Sequence, residues 1–152
     1  MPREGEAPPQ IDARTPADFF EVITRAVFQS GFSWPVIAAK WEGFREAFAG
    51  FDPAAVAAFT PDDVDRLCAD ARIVRNRRKI EATVFNAEAL LDLDEKHGGF
   101  RAYLGGHGGF DAASADLQKR FKWLGGLGAY YVLYVVKEPV PPFEEWRAAQ
   151  GA

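Results

Sequence analysis

In the first half of the chain a residue able to cap a helix stands just before a proline, or one residue short of it, at Thr15-Pro16, Ser33-Trp34-Pro35, Asp52-Pro53 and Thr60-Pro61. A Thr, Ser or Asp side chain can accept a hydrogen bond from an amide in the first helical turn. Proline there has the right φ and forfeits an N–H that no carbonyl in the helix would have met. The same prolines would interrupt the ladder of a central strand. Such punctuation divides the chain into short helices and predicts an all-α, compact multi-helix domain.

Apolar periodicity fills in the helices between these marks. Phe19, Phe20, Ile23 and Val27 predict a first helix from Thr15-Pro16 to Gln29. Trp34, Ile37, Trp41, Phe44 and Phe48 form one stripe that predicts a second helix capped by Ser33. A short helix is expected from Asp52-Pro53 to about Phe59. Another opens at Thr60, with Asp63 at the capping-box position and Val64, Leu67 and Cys68 on its apolar face. Ile73 to Leu93 reads as a long helix with a break near Asn76. His97-Gly98-Gly99 closes it, Phe100 to Leu104 adds a turn, and Gly105 to Gly109 must be loop. Helices are expected over 113–121 and 129–136, although Tyr130 to Val136 also alternates in a way a strand could use. An extended Pro139–Phe143 segment leads into a last short helix carrying Glu144, Glu145 and Trp146. Residues 1–14, with Pro8-Pro9 and no periodicity, read as a flexible lead outside the core, and residues 15–152 as a single helical domain.

Composition excludes several classes. A single cysteine, Cys68, allows no disulfide framework and no thiolate cluster, which fits a reducing, cytoplasmic setting. No apolar run approaches the roughly 18 residues of a membrane span. The net charge of −4 does not suit a constitutive nucleic-acid coat. Charge is nonetheless unevenly placed: Arg72, Arg75, Arg77, Arg78 and Lys79 come without an acid among them, and Lys119, Arg120 and Lys122 form a second basic patch. A run like the first is either a solvated helix face or a surface for phosphate.

Two further stretches admit two readings each. Trp34, at the junction after Gly31, is either a core plug or a platform on which a planar group stacks. Helix, Leu124-Gly125-Gly126-Leu127-Gly128, helix is either an ordinary tight turn or a helix-hairpin-helix, in which amides at the start of the second helix approach a phosphate. Lys122 beside it would add charge to that grip.

Taken together, Phe20-Glu21-Val22-Ile23, Gln29-Ser30-Gly31-Phe32-Ser33-Trp34, Phe51-Asp52-Pro53, Asp63-Val64-Asp65-Arg66-Leu67 and Ile73-Val74-Arg75-Asn76-Arg77-Arg78-Lys79-Ile80 resemble the 3-methyladenine DNA glycosylase I family of helix-hairpin-helix DNA glycosylases. The resemblance covers about half the chain, from Phe19 to about Leu91. It implies a base-excision repair enzyme that flips an alkylated purine out of double-stranded DNA and hydrolyses its N-glycosidic bond. Carried over to this chain, it makes Trp34, Gln29 and Ser33 base-binding, and Gly125, Gly126 and Gly128 the phosphate-gripping hairpin. Lys122, Arg77 and Lys79 are the basic residues expected along the DNA backbone.

The chain also departs from that family. The family's base-recognising Glu falls on Ala26 here, and the aromatic residues of its N-terminal segment have no counterpart in residues 1–14. Its structural zinc has no ligand set, because Cys68, His97 and His107 stand at no metal-ligand spacing. No metal and no cofactor are expected. Glu144 and Glu145, after Pro141-Pro142-Phe143, are the candidate catalytic carboxylates; the other reading makes them first-turn acids complementing a helix dipole. A monomer acting on alkylated DNA is expected. The alternatives are a non-catalytic binder of damaged DNA on the same fold, and a helical scaffold for a protein partner.

Overall fold

The computed structural model describes residues 9–31 and 33–150. The described residues form ten α-helices and no strand: α1 (Pro16–Gln29), α2 (Trp34–Ala39), α3 (Trp41–Ala47), α4 (Pro53–Ala57), α5 (Pro61–Leu67), α6 (Arg77–His97), α7 (Phe100–Gly105), α8 (Phe110–Arg120), α9 (Gly126–Val135) and α10 (Phe143–Gln150). The punctuation read from the sequence starts three of them, α1, α4 and α5, with a side-chain cap. Thr15 and Thr60 each form a complete capping box, with Asp18 and Asp63, and the Asp52 side chain accepts from Ala54 N–H at 3.0 Å. Ser33 holds the cap position of α2, but its hydroxyl makes no capping bond.

The 21-residue α6 runs through the assembly and packs against α1, α4, α5 and α7. On the other side α1 lies against α9, which in turn lies on α8. Aromatic rings fill the centre: Trp41 stacks with both Phe44 and Phe51 at centroid distances of 5.1 Å, and Phe28 meets Phe44 edge-on at 4.7 Å. Each such fully buried side chain contributes about 2–3 kcal/mol through removal of apolar surface from water. Tyr130 to Val136, the ambiguous segment, belongs to α9 and its C-terminal cap, and is buried almost throughout because α1 and α8 flank the helix.

Three expectations are corrected. The stripe from Trp34 to Phe48 is not one helix: it breaks at Lys40 (φ −95°, ψ 1°), whose ammonium donates to the Ala71 carbonyl at 3.2 Å. The break lets Trp34 diverge from the buried line of Ile37, Trp41, Phe44 and Phe48. The long helix begins only at Arg77, because Asn76 is its N-cap and accepts from Lys79 N–H at 3.1 Å; Ile73 to Asn76 lie outside it. Lastly, the lead is not wholly detached. Residues 1–8 fall outside the described residues, but Ile11 N–H donates to Val135 O at 2.8 Å, and Ala13 is buried under Arg101, which donates to its carbonyl at 2.9 Å.

Candidate functional site

Two chain segments far apart in sequence enclose a cavity of about 660 Å³. One wall is the end of α1 and the turn into α2, contributing Ala26, Gln29, Ser33 and Trp34; the other is Trp123, residues 125–128 and Tyr131 of α9. Trp34 opens α2 with Pro35 next to it in the first turn, and its indole is half-buried and meets Tyr131 edge-on at 5.1 Å. Gln29 is 5% exposed at the end of α1. Tyr131 is buried as well, and desolvation, assisted by Tyr130 and Tyr134, raises its hydroxyl pKa, so it is a neutral hydrogen-bonding group at any ordinary pH.

Glycine lets the second wall come close. A Cβ on Gly128 would lie 3.7 Å from Ala26 Cβ, in ordinary contact with α1, but 2.9 Å from Leu124 Cδ1, so a side chain there would force the buried Leu124 to shift. The first-turn amides of Gly126, Leu127 and Gly128 have no acceptor within their own helix, and no side chain caps α9 from Gly125. Amides so placed, at the positive end of the helix dipole, favour an anion.

The structure therefore brings Trp34, Gln29, Ser33, Gly125, Gly126 and Gly128 to one cavity. The basic candidates are dispersed. Lys122 is exposed next to the turn, its ammonium 4.2 Å from the centre of the Phe85 ring. Arg77 is exposed and paired with Asp65 at 2.7 Å. Lys79 is corrected from a phosphate contact to an internal tie: it is 3% exposed, donates to the Ser30 carbonyl, and burial pulls its pKa below the ordinary lysine value. Glu144 and Glu145 are also corrected. The inward side of α10 is Phe143 and Trp146, one helical turn apart, with Trp146 4.8 Å from Tyr130. That phase turns both glutamates to solvent, and neither lines the cavity.

Two residues at the site were not singled out from the sequence. Trp123 lines the cavity with 48% of its surface exposed and adopts φ +60°. Tyr131 lines both this cavity and a second one of about 300 Å³, with Ala26 and Gln29 shared between the two. In the second cavity the Glu21 carboxylate accepts from Trp41 Nε1 at 2.9 Å and from both terminal nitrogens of Arg45, while Arg25 lies over Trp41 at 5.2 Å. The signal for Trp123 was its place beside Lys122 and the glycines; for Tyr131 it was the helical offset from Gly128. None of the described residues lining the larger cavity carries a carboxylate. Among the described residues no group of three or more His, Cys, Asp or Glu is placed to hold a metal ion, and no helix is long and apolar enough to cross a membrane.

Residues 9–123 match the family model for methyladenine glycosylase. DNA-3-methyladenine glycosylase 1 of Escherichia coli is 40% identical over 87 residues, 57% of this chain and 45% of that protein. The corresponding enzyme of Haemophilus influenzae is 37% identical over the same share of each. The matched region thus spans about half the length of these curated relatives. A solved structure of 3-methyladenine DNA glycosylase I from Staphylococcus aureus, described for its recognition of 3-methyladenine, superposes with a TM-score of 0.74 at 28% identity, covering 86% of this chain and 79% of that one. The family match runs from the lead to Trp123, where the second cavity wall begins, and the chain belongs to the methyladenine glycosylase family.

Proposed function

We propose that the protein excises alkylated purines of the 3-methyladenine type from double-stranded DNA by base flipping and N-glycosidic hydrolysis. The observation that carries this reading is the cavity itself: an indole and the uncapped amide end of a helix converge on one space of about 660 Å³, large enough for a purine. Trp34 stacks on the extruded base, and Gln29 and Ser33 offer polar contacts to its edge. The backbone at Gly125, Gly126 and Gly128 grips a phosphate, with Lys122 and Arg77 adding positive charge along the duplex. Such contacts ignore sequence, as suits an enzyme that must search DNA for damage.

The chemistry asks little of the protein. An alkylated purine already carries the positive charge that makes it a leaving group. When water adds at C1′ and the glycosidic bond breaks, the bonding electrons neutralise the departing base. The water's proton passes to solvent and an abasic sugar remains. Flipping, orientation and removal from bulk water can supply much of the acceleration. The cation is held by the electron-rich faces of aromatic rings rather than by a carboxylate. The reading carries with it a cytoplasmic monomer.

Base release from methylated duplex DNA tests it, with wild type compared with Trp34→Ala. Release that falls about a hundredfold in the variant, the upper range for loss of a stacked base, supports the reading. The carboxylate-free lining favours one second reading, a damaged-DNA binder without chemistry. Wild type that binds a duplex with an abasic analogue yet releases no base would establish that reading instead.

A further inference from the structure

Trp123 is the most exposed tryptophan of the chain, Trp34 and Trp146 being half-buried. Trp41 is 6% exposed in the core, whereas Trp123 keeps 48% of its surface open at the edge of the larger cavity. Its backbone sits at φ +60°, a conformation that suits glycine and that bulky side chains rarely adopt. An indole held in this way gains little for folding: it is not buried, and a glycine at the same place would relieve the backbone.

The surroundings nevertheless hold it firmly. Asn86, 1% exposed on α6, takes hold of the preceding residue at both backbone groups, accepting from Lys122 N–H at 2.8 Å and donating to Lys122 O at 3.1 Å. Leu124, on the other side, is 4% exposed. Strain that persists because its neighbours over-determine it is characteristic of functional positions. The cavity that Trp123 borders lacks a carboxylate among its described lining residues, and Ala26 offers only a methyl group there. A cationic purine in it must be discriminated by ring faces, and Trp34 and Tyr131 are already assembled edge to face on the same cavity.

We propose that Trp123 is the outer stacking residue of the base site: it contacts the extruded cationic purine and, with Trp34 and Tyr131, completes an aromatic enclosure in place of a recognition carboxylate. This assignment rests on the glycosylase reading. It makes Trp123 a specificity-determining residue for the base and not a contact to the duplex flanking it.

The test compares wild type, Trp123→Gly and Trp123→Phe. Glycine removes the ring while suiting the left-handed backbone, so thermal unfolding should show that the fold is kept. Single-turnover base release from methylated duplex should fall about ten- to a hundredfold in Trp123→Gly and stay within about threefold of wild type in Trp123→Phe. Affinity for a duplex containing an abasic analogue, which presents no base, should change less than about twofold. A parallel loss of abasic-duplex affinity would move Trp123 onto the DNA backbone and overturn the proposal, as would unchanged base release. Titration with free 3-methyladenine separates the stacking role from the reaction. If wild type releases no base but binds the free base in a Trp123-dependent way, the reaction fails and the stacking role stands. If wild type neither releases nor binds it, both fall.

Discussion

Asn86 closes both backbone hydrogen-bonding groups of Lys122 with one side-chain amide, its Oδ1 2.8 Å from Lys122 N and its Nδ2 3.1 Å from Lys122 O. The long helix α6 is thereby coupled to the turn that forms the second wall of the cavity. Asn86→Ala leaves those groups partly unmatched and is expected to cost about 1–3 kcal/mol in urea denaturation. Asn86→Asp keeps an acceptor for the Lys122 amide but buries a carboxylate with its second oxygen against the Lys122 carbonyl, so near neutral pH it should cost at least as much as Ala. A loss in Asp clearly smaller than that in Ala would show that the bond to the Lys122 carbonyl contributes little.

Ala26 lies between the two cavities and is 8% exposed. Ala26→Glu introduces a carboxylate that burial would shift upward in pKa and that a cationic base would shift back down. Release of cationic methylpurines is expected to rise about tenfold, while a neutral base such as hypoxanthine gains nothing. An equal change for both bases would mean that the new side chain acts by shape and not by charge.

Gly43 of α3 passes against the backbone of Arg72. A Cβ there would stand 2.9 Å from Arg72 Cβ and closer still to the Arg72 carbonyl oxygen, which is main chain and cannot swing aside. Gly43→Ala should therefore destabilise the fold by about 1–3 kcal/mol despite the better helix propensity of alanine. A more stable variant would show that the segment 70–73 gives way freely.

The Asp18 carboxylate closes the capping box of α1. The Arg14 N–H at 3.0 Å holds its pKa below the ordinary value of 3.8, against the upward push of burial, with the Thr15 N–H at 3.1 Å and the Thr15 hydroxyl adding to the effect. A carboxyl with a depressed folded pKa contributes stability that is fully present above the unfolded value and is lost as pH falls through the folded one. Acid titration of unfolding should show a loss below about pH 4 that Asp18→Asn lacks. Identical acid profiles for the two proteins would remove Asp18 from the account.

The helix starts were legible because they are local. Thr15 and Thr60 bond to amides three residues on, and nothing distant is needed to form those boxes. The family likeness was legible for a related reason: the turn between Gln29 and Trp34 is a compact string of residues. What the chain did not disclose depends on contacts across it. The break at Lys40 leans on Ala71, the inward turn of Lys79 on Ser30, and the seating of residues 9–14 on the end of α9. The outward turn of Glu144 and Glu145 is a matter of helical phase, decided by where Trp146 finds Tyr130. For Trp123 the sequence offered only its place beside Lys122 and the glycines, while its φ of +60°, between Lys122 held by Asn86 and the buried Leu124, is not what its own side chain prefers.

The walls of the cavity come from residues 26–35 and 123–131, nearly a hundred positions apart. During synthesis the first wall leaves the ribosome early and waits while the intervening helices are made. A growing or truncated chain therefore carries half of a mouth and no chamber, however well its early helices have formed. Closing it joins distant parts of the chain, the slow kind of contact, and makes a formed cavity a report on whether residues 26 to 131 have all been made and folded.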